Sequence, residues 1–308
     1  MIELFYHPGF AAPIGNHVMP MRKFRLVAES LSGDPDFTIS APAPVKVEDL
    51  LRVHAEEYVD AVRSGHPKEL AESQKFPWSP ELFSSVCLTN GAVLAASRSA
   101  LNRGVAGGLA SGFHHARAER GEGFCTFNGL VVALEALRGA GGIRTAAILD
   151  LDLHYGNGTA SLAVERPWMR ALSIYGNDYQ NNVCYRDVSV RHHSDGPNHH
   201  SVPLLPSGAG DAANLLSILE SNLPWLTAEG RPDLLLYQAG VDPLASDPYS
   251  PLNLSAPDLR ARDLAVFQFA RRQRIPVAWV LAGGYSEDIS LVVEAHVNTA
   301  RACAEVYR

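Results

Sequence analysis

Asp150, Asp152 and His154 fall at alternate positions where the apolar run Ala147-Ile148-Leu149 breaks into Tyr155-Gly156-Asn157-Gly158-Thr159. In an extended strand alternate residues share a face, so this spacing predicts two carboxylates and an imidazole projecting the same way from the strand's carboxyl end. Such groups are costly to bury unless a cation or hydrogen bonds compensate them, and together they read as half of a metal site. A single Asp would serve to cap a following helix; two with a His exceed that need.

Other residues with reactive side chains follow other strand-like segments: His114 and His115, Ser173, Asp242 behind Gly240, and Tyr285 behind Gly283-Gly284. Asp152, His154 and Asp242 would supply three protein ligands and leave positions open for water and substrate, as a catalytic zinc requires. Oxygen-rich ligation also suits ferrous iron. In a strand His114 and His115 would face opposite ways, leaving one of them free to pack. Beside a metal, one imidazole can take a proton from water and the other can give one to a leaving group, with Asp150 and Asn157 available to orient them. The phenol of Tyr285 suits a substrate carbonyl oxygen and the oxyanion that develops from it.

These residues need a scaffold that gathers strand ends. Arg144 to Leu149 is apolar or β-branched at most positions, as expected of a parallel strand covered on both faces. Further strands are expected at Ile2 to Tyr6, Gly104 to Ser111, Arg170 to Tyr175, Asp233 to Tyr237 and Pro276 to Leu281. Helices are expected at Val47 to Arg63, Pro80 to Leu101, Leu130 to Leu137, Asp211 to Asn222, Ala256 to Arg272 and Asp288 to Glu305, the second opening on a proline whose missing N–H costs little there. A loop runs from Tyr6 through Pro20. Tyr185 to Pro206 reads as the longest irregular stretch, and its His192, His193, His199 and His200 as solvated loop residues. Alternating strands and helices imply βαβ units and a mainly parallel sheet, whose ligands bind at the carboxyl ends of the strands.

A chain of 308 residues with 46% hydrophobic content can bury a large core as one α/β domain. The formal charge of -7 gives no reason to expect nucleic acid or an anionic membrane as partner. Apolar stretches fall short of the roughly 18 to 20 residues of a membrane span, and Met1 to Pro8 is not read as a signal peptide. Cys87, Cys125, Cys184 and Cys303 are scattered without CxxC spacing, which points to a reduced, cytoplasmic protein rather than a disulfide framework or thiolate zinc knuckle. Oligomeric state is left open.

Asp150-Leu-Asp-Leu-His-Tyr-Gly-Asn-Gly-Thr159, Gly112-Phe-His-His-Ala116, Gly123-Phe-Cys-Thr-Phe-Asn128, Ala239-Gly-Val-Asp-Pro243 and Gly283-Gly-Tyr285 occur in the order and approximate spacing of the histone deacetylase superfamily. The match begins at His17-Val-Met-Pro-Met-Arg-Lys-Phe24, which is similar to an early His-x-x-Pro-x-Arg element of that family, and extends to the final helix. The resemblance implies a single catalytic domain over residues 1–308 with the arginase-deacetylase fold, a mainly parallel eight-stranded sheet flanked by helices. It implies zinc-dependent removal of an acyl group from an acylated amine: an acyl-lysine peptide or protein, an acetylpolyamine or a small metabolite. By motif, Asp152, His154 and Asp242 resemble the zinc ligands, His114 and His115 the paired histidines, and Tyr285 the carbonyl-polarising tyrosine. Gly123 and Phe124 resemble the wall of a narrow substrate channel, and Asp150 with backbone oxygens near Asp152, His154 and Ser173 resembles a structural potassium site.

The chain departs from the family pattern at Tyr155, where most members have a second His, at Asn157, where many class I enzymes have Asp, and at Gly129 and Ala282. Asn157 can orient an imidazole without adding charge. The short Asp-x-Asp-x-His-aromatic form and the helix start at Phe76 to Pro80 look most like class IV and bacterial members. Two other readings remain on the same scaffold: a binuclear manganese ureohydrolase of the arginase type, and a non-catalytic protein that binds acyl-amines or a partner. Substrate choice is expected to depend on loops such as Gly9 to Pro20, Phe76 to Pro80 and Tyr175 to Tyr185.

Overall fold

A computed structural model of the chain describes residues 1–178, 183–184 and 196–308. The first part runs β1 (Ile2–Phe5), α1 (Arg22–Leu31), β2 (Phe37–Ser40), α2 (Val47–Leu50), α3 (Glu56–Ser64), α4 (Lys68–Ala71), α5 (Pro80–Arg103) and β3 (Val105–Ser111). Then come α6 (Gly129–Gly139), β4 (Ala146–Asp150), α7 (Asn157–Ala163), β5 (Met169–Tyr175), the short pair β6 (Asn177–Asp178) and β7 (Val183–Cys184), and β8 (His199–Pro203). The chain closes with α8 (Asp211–Asn222), β9 (Leu234–Ala239), α9 (Ala256–Gln273), β10 (Val277–Leu281) and α10 (Ile289–Tyr307).

Eight strands form one sheet in the order β2-β1-β3-β10-β9-β4-β5-β8, and every pairing in it is parallel. All residues of β3, β4, β9 and β10 are buried, as their predominantly apolar character requires of strands covered on both faces. Helix α5 lies against β3 and β10, and α9 pairs with α10. The four central neighbours β3, β10, β9 and β4 are the strands whose carboxyl ends carry the reactive residues.

Several elements differ from expectation for physical reasons. The segment 47–63 is two helices, because Ala55 turns extended and its N–H pairs with the carbonyl of Ala118. Helix α1 was not anticipated, although Phe24, Val27, Ala28 and Leu31 form a buried stripe at helical spacing. Strand β8 lies inside the stretch expected to be irregular. Its polar His-His-Ser sequence lacks a strand signature, and as an edge strand it tolerates Pro203. His200 bonds Asn222 Oδ1 at 2.9 Å, and the His199 ring packs 5.6 Å from that of Tyr155, so neither is a solvated loop residue. His192 and His193 lie outside the described residues, as do residues 179–182 and 185 of one expected substrate loop. Among the described residues no helix is long and apolar enough to cross a membrane.

Candidate active site

Strand β4 ends at Asp150, so strand alternation does not carry Asp152 and His154. Turn hydrogen bonds do so instead: the Asp152 N–H donates to Asp150 Oδ1 at 3.1 Å, and the His154 N–H donates to Asp152 Oδ1 at 3.0 Å. The three side chains therefore diverge. Asp150 reaches His114, with Oδ2 2.6 Å from Nδ1, while Asp152 and His154 turn toward Asp242 at the end of β9.

Ligand atoms of Asp152, His154 and Asp242 lie within 4.8 Å of one another, and all three residues are buried. His154 Nδ1 is 3.2 Å from Asp152 Oδ1 and 3.0 Å from Asp242 Oδ2. Glycine permits this approach: a Cβ on Gly240 would sit 2.4 Å from the Asp152 Cα, and one on Gly283 2.1 Å from the Asp242 carboxyl carbon. Burial would lower the pKa of His154, but its bonds to Asp152 and Asp242 outweigh this and lift it to about 10. Burial and the charge of Asp152 push Asp242 up to about 7. Asp152 also feels burial, yet His114 and His154 hold it below the usual carboxylate range. The cluster thus demands positive charge at its centre, and two carboxylates with one imidazole are a donor set that fits zinc or ferrous iron.

The paired histidines do not face opposite ways. Strand β3 stops at Ser111 and Phe113 adopts a left-handed φ of 59°, so the rings of His114 and His115 lie side by side with centroids 4.0 Å apart. His114 Nε2 is 3.7 Å from Asp152 Oδ1, and His115 Nδ1 is 2.6 Å from Asn157 Oδ1. Burial opposes charge on both rings, but Asp150 and Asp152 raise His114 overall. His115, which burial and then His114 and His154 act upon, is driven well below an ordinary histidine. Their environments separate a proton-holding imidazole from a neutral one.

Tyr285 stands beyond β10 with its ring 6.4 Å from that of His154 and 5.4 Å from that of Tyr249. Burial and the charges of Asp152 and Asp242 push its phenol well above the ordinary value, which keeps it a hydrogen-bond donor. Phe124, with a left-handed φ of 64°, stacks on Phe76 at 5.8 Å and meets the edge of His17 at 4.8 Å. Its ring lies 6.2 Å from that of Tyr285, so an aromatic wall borders the cluster. Ser173 pairs in register with Asp150, and its Oγ lies 3.5 Å from the N–H of Gly156.

Sequence reasoning missed four supporting residues. Asp247 accepts the Tyr285 N–H at 2.7 Å and the Tyr249 N–H at 3.0 Å. Lys23, fully buried, donates through Nζ to the carbonyls of Ala282, at 3.1 Å, and of Gly283. Burial lowers its pKa to about 8 against the pull of Asp242, Asp152 and Asp247. Arg262 donates to the carbonyls of Leu151 at 3.2 Å and Gly240 at 2.7 Å, joining the two segments that carry Asp152 and Asp242. Glu122 meets the amide of Asn157 at 2.6 Å. Lys23 lay within the early His17 to Phe24 element and Glu122 beside Gly123, but only the fold shows what they touch. Tyr155 is buried against Tyr175, ring to ring at 5.1 Å.

The family profile of the Histone deacetylase domain matches residues 17–300. An uncharacterized protein of Picosynechococcus sp. is 30% identical, with the match covering 98% of this chain and 98% of that protein. A histone deacetylase-like amidohydrolase of Pseudomonas aeruginosa is 31% identical over 80% of this chain and 66% of its own length. The crystal structure of an acetylpolyamine aminohydrolase from Burkholderia pseudomallei superposes with a TM-score of 0.78 at 18% identity, covering 99% of each chain, a likeness of fold.

Proposed function

The chain belongs to the histone deacetylase family, and we propose that residues 1–308 form one catalytic domain, a zinc-dependent amidohydrolase that removes an acetyl or longer acyl group from an acylated amine. The observation that carries this reading is the convergence of Asp152, His154 and Asp242 beside two differently tuned histidines and a protonated tyrosine. Asp152, His154 and Asp242 are the proposed ligands. When bound, zinc would supply Lewis acidity toward the acyl carbonyl and acidify a neighbouring water.

The chain's own groups do the remaining work. His115, neutral in its buried setting, takes the proton as water adds to the acyl carbon. Tyr285 donates its O–H to the carbonyl oxygen as negative charge develops there. His114, whose proton Asp150 and Asp152 stabilise, gives it to the amine nitrogen as the C–N bond breaks, leaving a carboxylate and an amine. Gly123 and Phe124 are the proposed wall of a passage suited to an unbranched alkyl chain such as that of acyl-lysine or an acetylpolyamine, supported by the ring contacts of Phe124 with His17, Phe76 and Tyr285.

A potassium ion beside Asp150 and Ser173 belongs to the same reading, supported by their facing positions on β4 and β5. Cytoplasmic residence does too, supported by the free, buried thiols of Cys87, Cys125 and Cys303. The test is to strip the protein of metal, reload it with zinc or with ferrous iron, and assay acyl-lysine peptides and acetylpolyamines of varied acyl length. Hydrolysis of at least one class, strongest with zinc, is expected. Failure of every substrate with both metals would overturn the reading in favour of a binding protein.

A further inference from the structure

Behind the paired histidines, hydrogen bonds run outward in a line. His115 Nδ1 meets Asn157 Oδ1 at 2.6 Å, and Asn157 Nδ2 donates to Glu122 Oε2 at 2.6 Å. The other oxygen of Glu122 accepts from Arg117 Nε at 3.2 Å and from Arg120 Nε at 2.9 Å. Glu122 is largely buried and sits in the turn that leads directly into Gly123 and Phe124.

An asparagine alone does not specify a histidine tautomer, because a half-turn about its last torsion exchanges the carbonyl and amino ends. A carboxylate removes that freedom, since it only accepts. With Glu122 opposite, the amino end of Asn157 must face outward and its carbonyl must face His115. That carbonyl also only accepts, so Nδ1 of His115 carries the hydrogen and the lone pair of the neutral ring lies on Nε2.

We propose that Glu122 is a positioning residue that fixes the tautomer of His115 through the amide of Asn157, a role whose catalytic consequence rests on the hydrolase reading above. The carboxylate absent at position 157 is thereby supplied one side chain further out, anchored by two arginines. Asn157 transmits its direction without placing a negative charge against His115. The ring is left neutral with its basic nitrogen defined, which is what a proton acceptor needs.

The test is a double-mutant cycle on the zinc-loaded full chain with an acetyl-lysine peptide. Glu122→Ala should lower kcat at least about tenfold while KM and zinc content stay nearly constant. Glu122→Gln, which retains an acceptor, should recover part of the loss. In the Asn157→Asp background, where an acceptor-only group touches His115 directly, Glu122→Ala should change kcat by less than about twofold. Equal losses in both backgrounds, or no loss in either, would overturn the proposal, since a residue that merely supports its loop does not depend on the identity of residue 157. Nitrogen NMR of histidine-labelled protein reads the tautomer without any turnover. A protonated Nδ1 on His115 in the native chain, and a mixture in Glu122→Ala, are expected. A protonated Nε2 in the native chain contradicts the proposal alone; the expected tautomer in a protein that hydrolyses nothing contradicts only the hydrolase reading.

Discussion

The carboxylate of Asp242 accepts a hydrogen bond from the backbone N–H of Leu153, Oδ1 to N at 2.9 Å, so one proposed ligand grips the peptide between the other two. The β9 and β4 strand ends are thus tied at the cluster itself, and Arg262 ties them again from behind. Charge and tether can be separated. Asp242→Asn keeps an oxygen for Leu153 and should leave the fold intact while weakening zinc affinity at least about 100-fold; calorimetric zinc titration with a parallel melting curve checks this.

Tyr285→Phe removes the proposed donor to the developing oxyanion and leaves Asp152, His154 and Asp242 untouched. A fall in kcat of about 10²–10³-fold is expected, with bound zinc unchanged. Steady-state kinetics alongside metal analysis decides, and an unaltered kcat would remove Tyr285 from the mechanism.

Asp247 holds the backbone N–H groups of both Tyr285 and Tyr249, so its effect should be felt at the aromatic wall rather than at the proposed metal ligands. For Asp247→Ala the expectation is a kcat lower by about tenfold or more, with a stability loss of about 1–3 kcal/mol from the unpaired amides. Zinc content should not change.

His54 makes stability sensitive to acid. Its Nδ1 donates to the carbonyl of Arg117 at 2.9 Å and its Nε2 accepts the Asn128 N–H at 3.0 Å, an arrangement open only to the neutral ring. Burial lowers its pKa to about 4, below the ordinary histidine value that the unfolded chain has. The unfolded state therefore binds the extra proton between those values. Stability is whole above about pH 6.5 and declines as pH falls toward 4, by about 3 kcal/mol from this group. Denaturant unfolding at about pH 7 and pH 4.5 should show a smaller difference for His54→Gln, which keeps a donor and an acceptor, than for the native chain.

The central sheet was legible because fully buried parallel strands declare themselves as short apolar runs ending in glycine or reactive residues. The same runs marked Asp152, His154, Asp242, the histidine pair and Tyr285, all of which the fold brings to one place. Strand β8 was hidden by its polar composition, and the break between α2 and α3 by a backbone bond to Ala118 that no local pattern encodes. His114 and His115 were expected on opposite faces, because nothing in sequence reveals that Phe113 turns the chain through a left-handed conformation. Lys23, Asp247, Arg262 and Glu122 act through contacts made across long stretches of chain. Their side-chain types were visible in the sequence, but their partners were not.

Stepwise addition of zinc to the metal-stripped chain, with hydrolysis of an acyl-amine substrate followed at each step, tests the central claim most directly. Activity should rise in proportion to zinc and reach its plateau at one equivalent per chain. A plateau at two equivalents accompanied by urea release from arginine, or hydrolysis that persists without any metal, would contradict it.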